Sequence, residues 1–150
     1  HTGTQLLSTM SDAGTIASQD ADSVNIDGGA IDGTPIGAST ANTGKFSALT
    51  ITGEIVEGIH TLTGTTPVLD PATGTVQTWT LSGASTPTDG LSNGESILLL
   101  IDDNSDYTIT WPSTTWIGGS APTLDTTNET VVELWKVGGT LYGALVGVAS

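Results

Sequence analysis

The stretch from Val24 to Gly53, VNIDGGAIDGTPIGASTANTGKFSALTITG, limits what this chain can fold into more than any other. Ile26, Ile31 and Ile36 recur every five residues, and a glycine follows each within two positions. A step of five matches neither the helical period of about 3.6 nor the strand period of 2. It suits very short strands separated by tight turns, with Asp27-Gly28-Gly29 and Asp32-Gly33 supplying the turn chemistry. Phe46, Leu49 and Ile51 carry the apolar pattern forward. So thin a ribbon cannot bury three isoleucines on its own, because short strands gain stability only when other strands or another chain cover their apolar face. Several copies wound about one axis solve the problem. Residues 24–53 are therefore expected to form an inter-chain β-stalk with Ile26, Ile31 and Ile36 on the axis.

Three chemistries are excluded or disfavoured by what the chain lacks. Sixteen acidic residues stand against two basic ones, Lys45 and Lys136, for a formal net charge of −14. Such a surface repels phosphate backbones and anionic membranes, so no nucleic-acid partner is expected. No apolar run reaches the length of a membrane span, and no membrane insertion is expected. With no cysteine there is neither a disulfide framework nor a thiolate metal site, which leaves the core or oligomerisation to supply stability. His1 in the first position reads as a tag remnant or a cut end, so the chain is expected to be a fragment of something longer.

Only 12% of the residues are charged, and Thr, Ser, Gly and Asn dominate the remainder. Thr and Val favour strands, while Gly, Asn, Asp and Pro favour turns, so the expected class is all-β. Residues 1–23 read as a lead-in segment, extended or briefly helical through Leu6 and Met10. Residues 54–150 read as a separate domain of six or seven short strands. In 75-TVQTWTL-81, Gln77, Trp79 and Leu81 share one face. The run 96-SILLLI-101 is apolar on both faces and reads as a central strand. In 107-YTITW-111, Tyr107, Ile109 and Trp111 point inward, and Pro112 ends the strand. The segments 130-TVVELWKV-137 and 140-TLYGALVGV-148 flank Gly138-Gly139, the two-residue turn of a tight hairpin. The last strand is apolar on both faces, which predicts one face inside the domain and the other under a loop or against a neighbouring chain. The whole fits a β-sandwich, jelly-roll-like in plan.

The run I-D-G-G-A-I-D-G-T-P-I-G-A-S-T, followed by T-G-K-F-S-A-L, resembles a segment common in bacteriophage tail-fibre and tail-spike proteins. The later Y-T-I-T-W-P at Tyr107–Pro112 and W-I-G-G at Trp116–Gly119 are similar to motifs of the small β-sandwich modules that end some phage fibres. The resemblance implies a slender homotrimeric shaft with a terminal knob, located in the virion as an extracellular appendage. It implies attachment to a host surface glycan or outer-membrane receptor, and joining to other virion tail proteins through an N-terminal part beyond this chain.

Candidate sites are sparse. His60 is the sole histidine besides the first residue, no Gly-x-Ser-x-Gly elbow is present, and no base stands ready to activate a serine, so no catalytic residue is expected. Asp102, Asp103, Asn104 and Asp106 gather oxygen ligands of the kind calcium prefers, with Asp102, Asp103 and Asp106 as its carboxylates. Their spacing departs from the EF-hand loop, and the plainer reading is a solvated turn capped by its own side chains. No other cofactor is expected. Trp116 lies in a run rich in Thr, Ser and Gly, where an aromatic face suits a sugar ring, with Thr115, Asp103 and Asp106 as polar partners. Its plainer role is a plug closing one end of the sandwich.

The expected function is therefore a non-enzymatic structural and receptor-binding fragment of a phage tail fibre. The alternatives are a purely structural virion trimer of the neck, baseplate or capsid surface, or a glycan-cleaving tail spike or bacterial adhesin.

Overall fold

A computed structural model of the chain describes Gly44 and residues 46–149. The lead-in 1–23 and the periodic Ile26, Ile31 and Ile36 lie outside the described residues. The chain divides into two units, His1–Leu49 and Thr50–Ser150, and the second holds every strand described below.

The all-β expectation holds, and the described residues contain no helix. Eight strands form: β1 (Ile59–Leu62), β2 (Val68–Leu69), β3 (Val76–Thr80), β4 (Thr88–Asp89), β5 (Ser96–Asp102), β6 (Thr114–Trp116), β7 (Thr130–Val137) and β8 (Thr140–Val148). Six of them make one mixed sheet in the order β1-β3-β5-β7-β8-β6, and β2 pairs with β4 in a second layer.

The first half of the unit winds as a coil. β1, β3 and β5 run parallel, with Ile59 opposite Val76 and Val76 opposite Leu98. The connections between them pass through β2 and β4, which are parallel to each other, with Val68 opposite Thr88. Each circuit thus crosses from the large sheet to the small one and returns, which gives parallel neighbours the long crossover they require. A further circuit begins after β5. The Thr108 carbonyl accepts from the Ser85 N–H at 2.9 Å, and the Thr110 N–H donates to the Ser85 carbonyl at 2.8 Å.

The antiparallel half is the hairpin read from the sequence. Gly138 and Gly139 both have positive φ, 59° and 82°, the backbone that a two-residue turn matching strand twist needs. A bulge interrupts the β7–β8 register between Val131 and Val132. A jelly roll is antiparallel throughout, so the observed topology departs from it across β1, β3 and β5. After Leu62 and Thr80 the chain crosses to the second layer, at β2 and β4, instead of doubling back on the same sheet. The expected strand at 107–111 is likewise reduced to a single bridge at Ile109, although its inward alternation holds.

The core lies on one face of the large sheet. Trp79, Ile97, Leu99, Ile101, Val132, Leu134 and Leu141 project from the strands, Leu81 extends the same face just past β3, and Leu69 and Leu91 close it from the other layer. Removing this much apolar area from water, at about 25 cal/mol per Å², is what holds the layers together. Two side-chain donors inside find loop carbonyls, while Gln77 Oε1 is buried without a partner among the described residues. The Trp79 Nε1–H donates to the Gly64 carbonyl at 3.1 Å, and Gln77 Nε2 donates to those of Asp70 and Gly74 at 2.8 and 3.0 Å. These bonds lash the 63–75 connection over the sheet.

The opposite face is different. Leu98 and Leu100 on β5 are only half-buried, although β5 is central as expected. The Trp135 and Tyr142 rings stack on the same face at 5.8 Å. Val146 and Val148 at the end of β8 are exposed, as are Ile59 at the start of β1 and Ile51, Ile55 and Val56 before it.

Candidate functional site

The functional geometry gathers where β5 runs out. Ile101 is buried against the core, and strand alternation turns Asp102 to the opposite face and Asp103 back inward. Asp103 is only 2% exposed. Its Oδ1 accepts from the Tyr107 N–H at 3.0 Å and from the Ser105 N–H at 3.4 Å, so the side chain closes the 103–107 turn. Asp106 sits in that turn with φ of +57°, a left-handed backbone that aspartate tolerates better than most side chains. Chain leaving the turn lays Tyr107, Ile109 and Trp111 against the core from the side.

Between this segment and the 121–124 loop lies a cleft of about 230 Å³. Asp103 and Asp106 supply its carboxylates, Tyr107 and Trp111 its aromatic wall, and Pro122 and Leu124 the facing side. Carboxylates beside aromatic rings accept hydrogen bonds from a ligand's polar edge while the rings cover its apolar side.

The carboxylates named from the sequence separate into two groups. Asp103 and Asp106 share the cleft, whereas Asp102 ends β5 facing the other way. Among the described residues, no three His, Asp or Glu side chains are grouped to hold a metal ion. Trp116 ends β6, a short strand parallel to β8, and is half-buried. It meets Trp111 edge-on, with ring centroids 5.1 Å apart and planes at 73°, and does not line the cleft. Thr115, its neighbour on β6, faces solvent. His60 sits half-buried in β1 beside Gln77.

The sequence alone places Tyr107 and Trp111 in the core, and offers Trp116 as a plug of the sandwich or, less plainly, as a sugar platform. Both residues do pack on the core, yet it is they that line the cleft. One signal pointed that way: Tyr107 and Trp111 fall within a few residues of the aspartates. The facing loop at 121–124 left none, because its approach is a long-range contact.

A second concavity, about 330 Å³, lies on the opposite sheet face, lined by Val76, Leu98 and Val146 between Glu57 and Glu133. The Thr75 hydroxyl donates to Glu57 Oε2 at 2.6 Å. No protein-family model, curated protein or solved structure matches the chain.

Proposed function

We infer that this chain is a non-enzymatic fragment of a phage tail fibre, a homotrimer that attaches the virion to a glycan on the host surface. In this reading residues 24–53 form a stalk shared by three copies, and residues 54–150 form a sandwich-like knob that carries the receptor site. The observation that carries it is the run of apolar side chains at Ile51, Ile55, Val56 and Ile59, all exposed. A chain with so few charges gains solubility by burying such a run, and copies of itself are the available cover. The cleft of Asp103, Asp106, Tyr107 and Trp111 supports the receptor role, since it joins ring faces to hydrogen-bond acceptors.

Light scattering on the purified chain tests the assembly. The expected mass is three times the 15.1 kDa of one chain. A stable monomer at micromolar concentration overturns the reading. A glycan array then tests attachment, with binding to at least one host-type glycan expected.

The second reading is a purely structural virion trimer. The half-buried position of Trp116, engaged with Trp111 and the sheet, favours it. A trimer that binds neither glycans nor host cells decides for this alternative.

A further inference from the structure

We propose that Asn93-Gly94 is a site of spontaneous covalent modification, cyclisation to a succinimide and opening to aspartate or isoaspartate, which the folded hairpin holds in check. Asn93 is the only asparagine of the chain that precedes a glycine, the neighbour whose missing side chain leaves its amide nitrogen free to approach. Both residues are exposed, so solvent base and water reach them.

The reaction is internal to the pair. The Gly94 nitrogen gives its proton to solvent base and bonds to Asn93 Cγ, the Cγ–Nδ2 bond breaks, and Nδ2 leaves as ammonia. Water then opens the ring at either carbonyl. One opening leaves aspartate, and the other leaves isoaspartate, in which the backbone runs through the side chain.

Three restraints oppose the first step in the folded chain. The Glu95 N–H donates to the Ser92 carbonyl at 3.1 Å, Gly94 has φ of +88° and Asn93 does not have positive φ, which together make 92–95 a type II turn. In such a turn the residue before the glycine has ψ of about +120°, which holds the next nitrogen away from Cγ. That nitrogen is also engaged. The Gly94 N–H donates to the Lys136 carbonyl at 2.8 Å, and the Lys136 N–H returns a bond to the Glu95 carbonyl at 3.1 Å, so both belong to the start of the β5–β7 pairing. Asn93 Oδ1 accepts from the Gly139 N–H at 2.7 Å across the hairpin, which fixes the amide that has to turn. Ring closure therefore waits on opening of this clasp. Isoaspartate adds a backbone carbon between residues 93 and 94, moves Gly94 away from Lys136, and keeps the clasp from closing again in register.

The test incubates the full chain at mildly alkaline pH, native and unfolded in guanidinium, and follows the peptide that contains residue 93 by mass spectrometry. The native chain is expected to react at least about tenfold more slowly than the unfolded one, because only the locally opened fraction can cyclise. Glu95→Ala leaves the reacting pair intact and removes the bond from the Ser92 N–H to Glu95 Oε2 at 2.6 Å. Its native reaction should be about fivefold faster than the parent's, the factor that one ordinary hydrogen bond allows, with the unfolded rate unchanged. Asn93→Gln, which would have to close a larger ring, should stay unreacted in both conditions.

Equal rates in the native and unfolded chains, or a faster native rate, overturn the protection. An unfolded chain that stays unreacted at residue 93 overturns the site. A native rate that Glu95→Ala leaves unchanged overturns the clasp as what controls the reaction.

Discussion

Trp116 lies across Gly143 so closely that a Cβ on the glycine would sit 2.6 Å from ring carbon Cζ3 and 2.9 Å from Leu134 Cδ2. The two residues pair in register between β6 and β8. The glycine in an otherwise apolar strand therefore provides the floor on which the tryptophan rests, and β6 is fastened to the sheet through that contact.

Gly143→Ala is accordingly expected to be destabilising despite the better strand propensity of alanine. Forcing a methyl group into a filled space costs about 1–3 kcal/mol. Trp116→Ala leaves a void instead, and for a half-buried ring the loss falls to about 2–3 kcal/mol, below the ~3–5 of a fully enclosed one. In the double variant the new methyl occupies the vacated space. Its loss should be smaller than the two single losses added together. Denaturant melts of the three variants check this, and additivity within error would show that the two residues do not share the space.

Lys136 gives a second prediction. Its ammonium bridges Asp89 Oδ2 and the Leu91 carbonyl, joining β7 to the far layer just past β4. Both charged groups are 21% exposed, so solvent screens the pair only in part. Lys136→Met keeps the aliphatic stem and removes the charge, and should cost about 1 kcal/mol, midway between exposed and enclosed ion pairs. Asp89→Asn in the same background should add little. A thermal melt of Lys136→Met indistinguishable from the parent would assign the contact no stabilising role.

What was legible in the sequence follows the range of the physics involved. The β7–β8 hairpin was readable because its turn and its alternation are local: Gly138-Gly139 sits between two apolar runs, and both glycines take the positive φ expected. Gln77, Trp79 and Leu81 share the buried face for the same reason. The parallel coil was not readable. Pairing Ile59 with Val76 and Val68 with Thr88 depends on which distant segments meet, and nothing in the intervening turns announces it. The site divides in the same way. Asp103 and Asp106 were visible as a cluster, whereas the contribution of Trp111 and the 121–124 loop to the cleft required the fold.

Asp125 governs a pH response. Its Oδ1 accepts from the Thr127 and Asn128 backbone N–H groups at 2.8 and 2.7 Å, and those bonds, Thr127 first, hold the carboxyl below its ordinary value despite some opposing desolvation. A lowered folded value means the bonds stabilise the protein fully above the unfolded value of about 4 and progressively less as pH falls through the folded value. Asp125→Asn removes that dependence. The parent should therefore melt above the variant near pH 6, and the gap should narrow by about pH 3. A gap that stays constant between these two conditions would mean that the charge on Asp125 is not what the turn uses.

The hairpin turn supplies the last prediction, and it separates backbone conformation from side-chain contact. Nothing lies within 4 Å of a Cβ built on Gly138 or on Gly139, so neither position is restricted by space. Both have positive φ, and there an L side chain meets its own backbone. Gly139→Ala should thus cost about 1–2 kcal/mol from conformation alone. The Gly139 N–H also donates to Asn93 Oδ1 at 2.7 Å, and because alanine keeps that N–H, the bond should survive. Asparagine adopts the left-handed region readily, and Asn-Gly is the favoured pair in such turns, so Gly138→Asn should change stability by no more than about 0.5 kcal/mol. Equilibrium melts on the two variants measure the difference. Equal losses for both would mean that the turn relaxes to another geometry, and the positive φ at Gly139 would then not be what the hairpin requires.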